Sequence, residues 1–340
     1  MDSPELTKAN KESPVASVVA AMLSMAAMSA GLATLVGYFD TVDWILSLLS
    51  WGRFQYLEIL LVCFVGFAIM RIWKFAVPCA VLALMNLIAV LPYFAPPAAL
   101  AQAGDSLKIC QFNVNYGNTN FALFDQYIRT HNPDIILLQE LTNGFESHFE
   151  KTFPDYQYQV FSTKETPFGI GTFSRIPFIT AEIKNSSTEY DAPYVVSLLD
   201  WQGKKLKLIN LHTYPMLGAR ALRVQAEMFG NIISDSAAAH DGPLVVAGDF
   251  NSPLWSSSMH ALQARAKVRT AALGLGWQPT WPRKFERFFV GETGPGIDSP
   301  LLMLSIDHCM INDKLSVKNF AVHEDLMSDH NPLFVELVAQ

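Results

Sequence analysis

Acidic, amide and imidazole side chains recur where predicted strands of the C-terminal two thirds of the chain end or begin. Apolar runs such as DIILLQ and LVVAG lead directly into them. Singly, such residues are common turn formers, and a lone histidine is more often structural than catalytic. Together they predict one site at the strand ends of an α/β layered domain. The eight positions are Asn113, Glu140, His212, Asp249, Asn251, Asp307, Asp329 and His330.

Three of these side chains are hard oxygen ligands. Mg²⁺ and Mn²⁺ prefer carboxylate, carbonyl and water oxygens. Glu140, Asn113 and Asp329 are therefore candidates to hold one such ion. No cysteine spacing indicates a zinc site.

The other five side chains suit phosphoester cleavage. That reaction requires an activated water, neutralisation of the charge on the phosphoryl group and assistance to the leaving group. We expect Asp249 to orient or deprotonate the water. His330, oriented by Asp307, would donate a proton or hydrogen bond to the phosphoryl group. Asn251 and His212 would supply further donors to the phosphate.

Strands interleaved with helices must position these groups. The predicted helices cover residues 121–130 and 219–234. The run at 134–139 is typical of a strand covered on both faces. Together with that run, strands are predicted at 107–114, 194–200, 205–211, 244–247, 306–311 and 333–337.

The motifs also follow a specific order. LKICQFNVNYGN precedes PDIILLQE, GIGTFSRIPF, LINLHTYP, VVAGDFNSP, SIDHCMI and SDHNPLFVEL. This order resembles the endonuclease/exonuclease/phosphatase superfamily over essentially all of residues 106–340. The resemblance implies an α/β fold of two packed β-sheets flanked by helices, a four-layer sandwich, that hydrolyses phosphoester bonds with a divalent metal.

The resemblance also assigns roles by position. One departure is Asn115, because abasic-site endonucleases carry an acidic residue there. That puts a second carboxylate near the metal in doubt and argues against that branch of the superfamily. The matching positions are, for the metal, Glu140, Asn113 and Asp329, and, for catalysis and phosphate contact, Asp249, Asn251, His330, Asp307 and His212.

The N-terminal part has the composition of a membrane anchor. The first hundred residues carry only eleven charges. Residues 15–39, 54–70 and 75–94 are long enough and apolar enough to predict three transmembrane helices. We expect an anchor at 1–95, a linker at 96–105 and a catalytic domain at 106–340. Ala101-Gln102-Ala103 has the form of a signal-peptidase site, although a retained anchor is favoured.

Basic residues predict the orientation. Lys8 and Lys11 precede the first span, and Arg71 and Lys74 lie between the second and third. Because such residues favour the cytoplasmic side, three crossings of the cytoplasmic membrane would place the catalytic domain outside the cytoplasm, in the periplasmic or extracellular space.

The segment at 277–290 mixes aromatic with basic residues. One interpretation is a loop that contacts the headgroup region or grips a substrate phosphate. The other is a partly buried loop with a solvated basic edge. The candidate contact residues are Trp281, Arg283, Lys284 and Arg287.

Three features bear on the substrate. The predicted anchor places the site near a lipid bilayer, and the part after residue 100 is acidic, with 25 acidic and 19 basic residues. DNA-binding proteins usually present a basic face. The three-span plan also resembles membrane phosphatases that act on undecaprenyl pyrophosphate. A phosphate-bearing lipid is therefore the favoured substrate, with an extracytoplasmic nuclease as the alternative. An inactive binding or sensing module is disfavoured because Glu140, Asp249 and His330 are present, and no protein partner is evident.

Two cysteines lie in predicted strands of the catalytic domain. Cys110 and Cys309 are expected to be buried thiols, although a disulfide is possible outside the cytoplasm.

Overall fold

The computed structural model describes residues 14–94, 100–101, 104–187, 190–238, 240–283, 300–322 and 326–340. The helices are α1 (Pro14–Val36), α2 (Trp44–Trp51), α3 (Arg53–Ile69), α4 (Trp73–Val90), α5 (Phe121–His131), α6 (Asn143–Thr152), α7 (Ala219–Ala237) and α8 (Ser257–Ala266). The strands are β1 (Ser106–Asn113), β2 (Ile135–Gln139), β3 (Tyr158–Ser162), β4 (Ile170–Ser174), β5 (Phe178–Asn185), β6 (Pro193–Trp201), β7 (Lys204–His212), β8 (Leu244–Asp249), β9 (Arg269–Thr270), β10 (Asp307–Ile311), β11 (Leu315–Val322) and β12 (Leu333–Ala339).

The strands form two six-stranded sheets. The first has the order β11-β12-β1-β2-β4-β3 and the second the order β5-β6-β7-β8-β10-β9. Their facing sides share one apolar core that includes Leu107, Leu208 and Val335. Helices α5 and α6 cover the outside of the first sheet through a phenylalanine-rich cluster, and α7 and α8 cover the second. The predicted four-layer fold is confirmed.

Strand direction brings the polar strand ends to one edge. β1 runs parallel to β2, and β7 runs parallel to β8. The carboxyl ends of each parallel pair therefore meet. β10 runs antiparallel to β8 and begins at the same edge, where Asp307 lies opposite Asp249. We call this edge of the second sheet its catalytic end.

The N-terminal helices support anchoring in a membrane. Two helical segments, Pro14–Phe39 and Trp73–Tyr93, are long and apolar enough to cross a bilayer. The helix at the predicted second span, α3, has 17 residues and is bent by 60° from α2. The bend lies at Gly52, which follows the last residue of α2. At the other end of α2, Asp43 caps the helix by accepting a hydrogen bond from the Ile45 N–H. Among the described residues there are thus two candidate spanning helices, or three if the bent pair is one span, and the three predicted spans are not confirmed.

The two cysteines of the catalytic domain lie in different layers. Cys110 packs beneath α5 and α6, and Cys309 packs between the sheets. Both are free thiols, and burial raises the pKa of each to about 12.

Candidate active site

A hydrogen-bonded aspartate and histidine form the centre of the site. Asp307 Oδ2 lies 2.8 Å from His330 Nδ1, so the second histidine nitrogen faces away from Asp307. That nitrogen, Nε2, is 3.7 Å from Asp249 Oδ2. Thr280 Oγ1 accepts a hydrogen bond from the backbone N–H of Asp307 at 3.1 Å, which fixes the start of β10. All three charged side chains are at most 4% exposed.

Burial and mutual attraction set the protonation of this group. Burial opposes a charged imidazole, but attraction to Asp307 and Asp249 outweighs it and raises the pKa of His330 well above its usual value. The pKa of Asp307 is lowered, because His330 overcomes the cost of burial. Burial and repulsion by Asp307 raise the pKa of Asp249 to about 6. At neutral pH the site therefore contains a protonated imidazole beside a carboxylate basic enough to accept a proton.

His212 approaches Asp249 from the neighbouring strand. The two residues lie opposite each other in the parallel β7–β8 register. His212 Nε2 is 3.4 Å from Asp249 Oδ2. The other ring nitrogen, Nδ1, is buried and has no hydrogen-bond partner among the described residues. Because a buried polar atom without a partner is costly, this nitrogen is suited to contact a substrate oxygen.

The turn after β8 depends on two unusual backbone conformations. Asn251 adopts the left-handed region (φ 44°), which asparagine tolerates better than most residues. Its backbone N–H donates to Asp249 Oδ1 at 2.8 Å, and its side chain donates to the Thr213 carbonyl at 2.9 Å. Gly248 has φ +148°, and a Cβ there would lie 1.9 Å from the Leu211 carbonyl oxygen. The turn therefore requires glycine at this position.

Asn113 joins Asp249 to Glu140 across the two sheets. Its Nδ2 lies 3.1 Å from Glu140 Oε1 and 3.1 Å from Asp249 Oδ2. Glu140 also accepts a hydrogen bond from the Tyr116 N–H at 3.0 Å and has a left-handed backbone (φ 59°). One amide thus holds two carboxylates from different sheets at the same edge.

Asp329 lies beside this group and contacts Asn115, the residue at which the chain departs from the superfamily pattern. Its Oδ1 accepts a hydrogen bond from Asn115 Nδ2 at 2.7 Å. Its Oδ2 accepts one from Trp281 Nε1 at 3.1 Å. A carboxylate in place of Asn115 would face Asp329 as a like charge. The amide replaces that repulsion with a hydrogen bond.

The predicted contact residues divide into two groups. The ring centre of Trp281 lies 6.3 Å from that of His330. Arg283 donates from Nη1 to Asn331 at 3.0 Å and from its backbone to the Asp329 carbonyl at 2.8 Å. Both therefore border the site. Lys284 and Arg287 lie outside the described residues.

A buried chain of amides supports the site, and sequence reasoning missed it. Gln111 Nε2 donates to Asp307 Oδ1 at 2.9 Å and to Gln139 Oε1 at 2.7 Å. Gln139 in turn donates to Asn210 at 2.6 Å. All three are fully buried between the sheets. The signal available in the sequence was the amide inside otherwise apolar strands, as in KICQF, IILLQ and KLINL.

A family model described as Endonuclease/Exonuclease/phosphatase family matches residues 110–330. The chain belongs to this family. It is accordingly a hydrolase that acts on phosphoester bonds, and members of the family generally use a divalent metal. Among curated proteins, no match was found.

Solved structures share the fold at low identity. An endonuclease/exonuclease/phosphatase from Bacteroides vulgatus is 17% identical, with a TM-score of 0.57 over 70% of this chain and 100% of its own. D. rerio TDP2 complexed with a single strand DNA product is 19% identical, with a TM-score of 0.57 over 69% and 99%. A mannosyl-6-phosphatase from Bacteroides thetaiotaomicron is 17% identical, with a TM-score of 0.52 over 68% and 99%.

The residues of this family member fit a divalent cation. Glu140 and Asp329 offer carboxylate oxygens, which suit a hard ion. Asn113 turns its amide nitrogen towards Glu140, and its Oδ1 accepts a hydrogen bond from the Asn115 N–H at 3.0 Å, so its amide would have to turn over to become a ligand. Glu140 is partly exposed, so its carboxylate is open to an ion from solvent. Asp249, Asp307 and His330 also lie close enough together to hold a cation. Because His330 Nδ1 donates a hydrogen bond to Asp307, that trio is better explained as a hydrogen-bonded group than as a set of metal ligands.

Proposed function

We propose that this family member is a membrane-anchored phosphoesterase that uses Mg²⁺ or Mn²⁺ and acts on a phosphate-bearing lipid, such as a polyprenyl pyrophosphate. We further propose that the chain lies in the cytoplasmic membrane with its catalytic domain outside the cytoplasm. The observation that carries the proposal is the buried Asp249–His330–Asp307 group, held against Glu140 by Asn113 in a chain with apolar N-terminal helices.

Each side chain has a role that follows from its contacts. Asp249, with a pKa of about 6, orients and deprotonates the attacking water. His330 is kept protonated by Asp307 and donates a hydrogen bond to the phosphoryl group through Nε2. Asn251 fixes the Asp249 carboxylate, and His212 offers its unpartnered Nδ1 to a phosphate oxygen.

Glu140, Asn113 and Asp329 would hold the metal. When bound, the ion would neutralise charge on the phosphoryl oxygens. Asn113 keeps Glu140 next to Asp249, so a metal held by Glu140 and a water oriented by Asp249 would act on the same phosphate. Asn115 and Trp281 hold the Asp329 carboxylate in a fixed orientation.

A nuclease is the second candidate. The likeness to TDP2 complexed with a single strand DNA product supports it. The excess of acidic over basic residues argues against extensive phosphate-backbone binding.

One experiment separates the two candidates. The full-length protein in detergent, with Mg²⁺ or Mn²⁺, is incubated in parallel with a polyprenyl pyrophosphate and a supercoiled plasmid. An Asp249→Ala and His330→Ala double variant controls for contaminants. Phosphate release that the variant lacks, with the plasmid intact, supports the lipid phosphatase. Nicking that the variant lacks, without phosphate release, overturns it in favour of the nuclease.

A further inference from the structure

The N-terminal helices dock onto the loop that follows the catalytic strand β8. Asp40, just after α1, accepts a hydrogen bond from the backbone N–H of Ser257 at 2.8 Å and so helps cap α8. The carbonyl of Ser50, in α2, accepts one from Trp255 Nε1 at 3.0 Å. These contacts begin four residues after Asn251. The end of α1 and helix α2 are therefore bound to a loop of the site itself.

Helices α3 and α4 make the same kind of contact. Gln55, at the start of α3, donates to the carbonyl of Met303 at 2.9 Å, four residues before Asp307. Tyr93, just after α4, donates from its hydroxyl to the Leu254 carbonyl at 2.9 Å. The C-terminal ends of α1 and α4 and the N-terminal end of α3 thus lie together, as expected at one face of a helical bundle.

Aromatic stacking joins the loops of the site to α3. Phe54 stacks on Trp277 with ring centres 4.4 Å apart, and Trp277 stacks on Trp255 at 5.7 Å. Trp277 leads into Thr280, whose hydroxyl holds the start of β10. Stacked aromatic pairs of this kind stabilise a contact beyond the area that they bury. The anchor is therefore packed on the catalytic end of the second sheet and is not joined by the linker alone.

Two exposed leucines continue this apolar surface at the rim. Leu217 is 75% exposed and lies in the loop between His212 and α7, and α7 contacts α2. Leu302 is 51% exposed and directly precedes Met303, to which α3 is bound. A single exposed leucine is ordinary. These two lie beside the helix ends that are docked on the loops of the site, so their apolar side chains are free to enter an apolar medium there.

We propose that the catalytic end of the second sheet rests on the bilayer, with Leu217 and Leu302 in the boundary between headgroups and acyl chains. The site then faces the lipid surface and takes its phosphate from the plane of the membrane. The opposite end of the sheet, which carries the β6–β7 turn, points away from the bilayer. The inference rests on the proposed function in one respect, because both take a lipid membrane as the partner of this protein.

The test places a fluorophore at each rim position. Leu217→Cys and Leu302→Cys variants of the full-length protein are labelled with an environment-sensitive dye and reconstituted in phosphatidylcholine and phosphatidylglycerol vesicles. The native cysteines of the chain are buried, and the unsubstituted protein reports any background. Lys204→Cys is the matched control, because Lys204 is exposed at the opposite end of the strand that carries His212.

Spin-labelled lipids then report which dyes lie in the bilayer. We expect the emission of the 217 and 302 labels to fall at least about twofold on adding quencher lipid, and that of the 204 label to stay unchanged. Equal emission at all three positions would overturn the inference. A blue shift at 217 without quenching by lipid would also overturn it, because protein would then cover that surface. The readout requires no catalysis. Quenched labels on a protein inactive toward lipid refute the proposed function alone, and unquenched labels on an active protein refute the inference alone.

Discussion

Replacing Asp307 with asparagine tests the hydrogen bond between Asp307 and His330, because the two side chains have nearly the same shape. Asp307 accepts two hydrogen bonds, from His330 Nδ1 at 2.8 Å and from Gln111 Nε2 at 2.9 Å. An asparagine side chain has one acceptor oxygen and one NH₂ donor. In the variant, one of the two contacts must therefore place the asparagine NH₂ group against another hydrogen-bond donor. Because Gln111 is held by Gln139, neither partner can turn away freely.

The size of the effect follows from the geometry. At 2.8 Å and an effective dielectric constant of about 20, the attraction between two unit charges is about 6 kcal/mol. Charge delocalised over the His330 ring and the Asp307 carboxylate makes this an upper limit. Breaking a buried ion pair typically costs about 3–5 kcal/mol. If His330 loses its proton in the variant, we expect kcat to fall by about 10²- to 10⁴-fold, the usual contribution of a positioned proton donor.

The assay is phosphate release from a polyprenyl pyrophosphate in mixed micelles, with saturating Mg²⁺. Asp313→Asn is the control, because Asp313 is exposed just beyond the other end of β10. We expect the control to keep the wild-type kcat. A kcat for Asp307→Asn within about twofold of the wild type would refute the argument that Asp307 keeps His330 charged.

Three further predictions concern the metal, the β8 turn and a buried histidine. Glu140→Gln should raise the Mg²⁺ concentration for half-maximal activity by at least about tenfold, measured by titrating Mg²⁺; an unchanged midpoint would remove Glu140 from the metal site. Gly248→Ala should destabilise the protein by more than about 3 kcal/mol, because its Cβ would meet the Leu211 carbonyl, whereas Gly230→Ala, with open space around its Cβ, should be neutral or stabilising in the same thermal melts. Burial lowers the pKa of His308 to about 4, so the unfolded state binds a proton that the folded state does not. The free energy of unfolding therefore falls as the pH drops from 6.5 towards 4, by at most about 3 kcal/mol. Between pH 7.5 and 5 the melting temperature of His308→Gln should fall less than that of the wild type, and an equal fall would contradict this.

The strands that carry the site could be predicted from the sequence because they are buried on both faces. β2 and β8 are buried along their whole length and apolar up to the polar residues at their ends, so their pattern is strong. β5 was not predicted, because most of its residues are exposed and follow no apolar alternation. β3 is half-buried along its length and gives a similarly weak signal.

The site itself was predicted as a set of side chains, not as a network. Strand-end positions and motif order indicated Asp249, Asp307 and His330, whose roles stay predictions. The supporting contact from Gln111 could not be predicted, because it depends on how two sheets pack face to face. The docking of Trp255 on α2 is likewise invisible in the sequence, since the two segments are about two hundred residues apart.

The most direct test of the central claim compares an aspartate at the end of β8 with one just before the strand begins. Asp249 ends β8 within the site, and Asp241 is exposed shortly before the strand begins. The full-length wild type, Asp249→Ala and Asp241→Ala are reconstituted in vesicles that contain a polyprenyl pyrophosphate and Mg²⁺, and released phosphate is measured. We predict release by the wild type and Asp241→Ala, and at least about a hundredfold less by Asp249→Ala. Equal release by all three proteins would contradict the account.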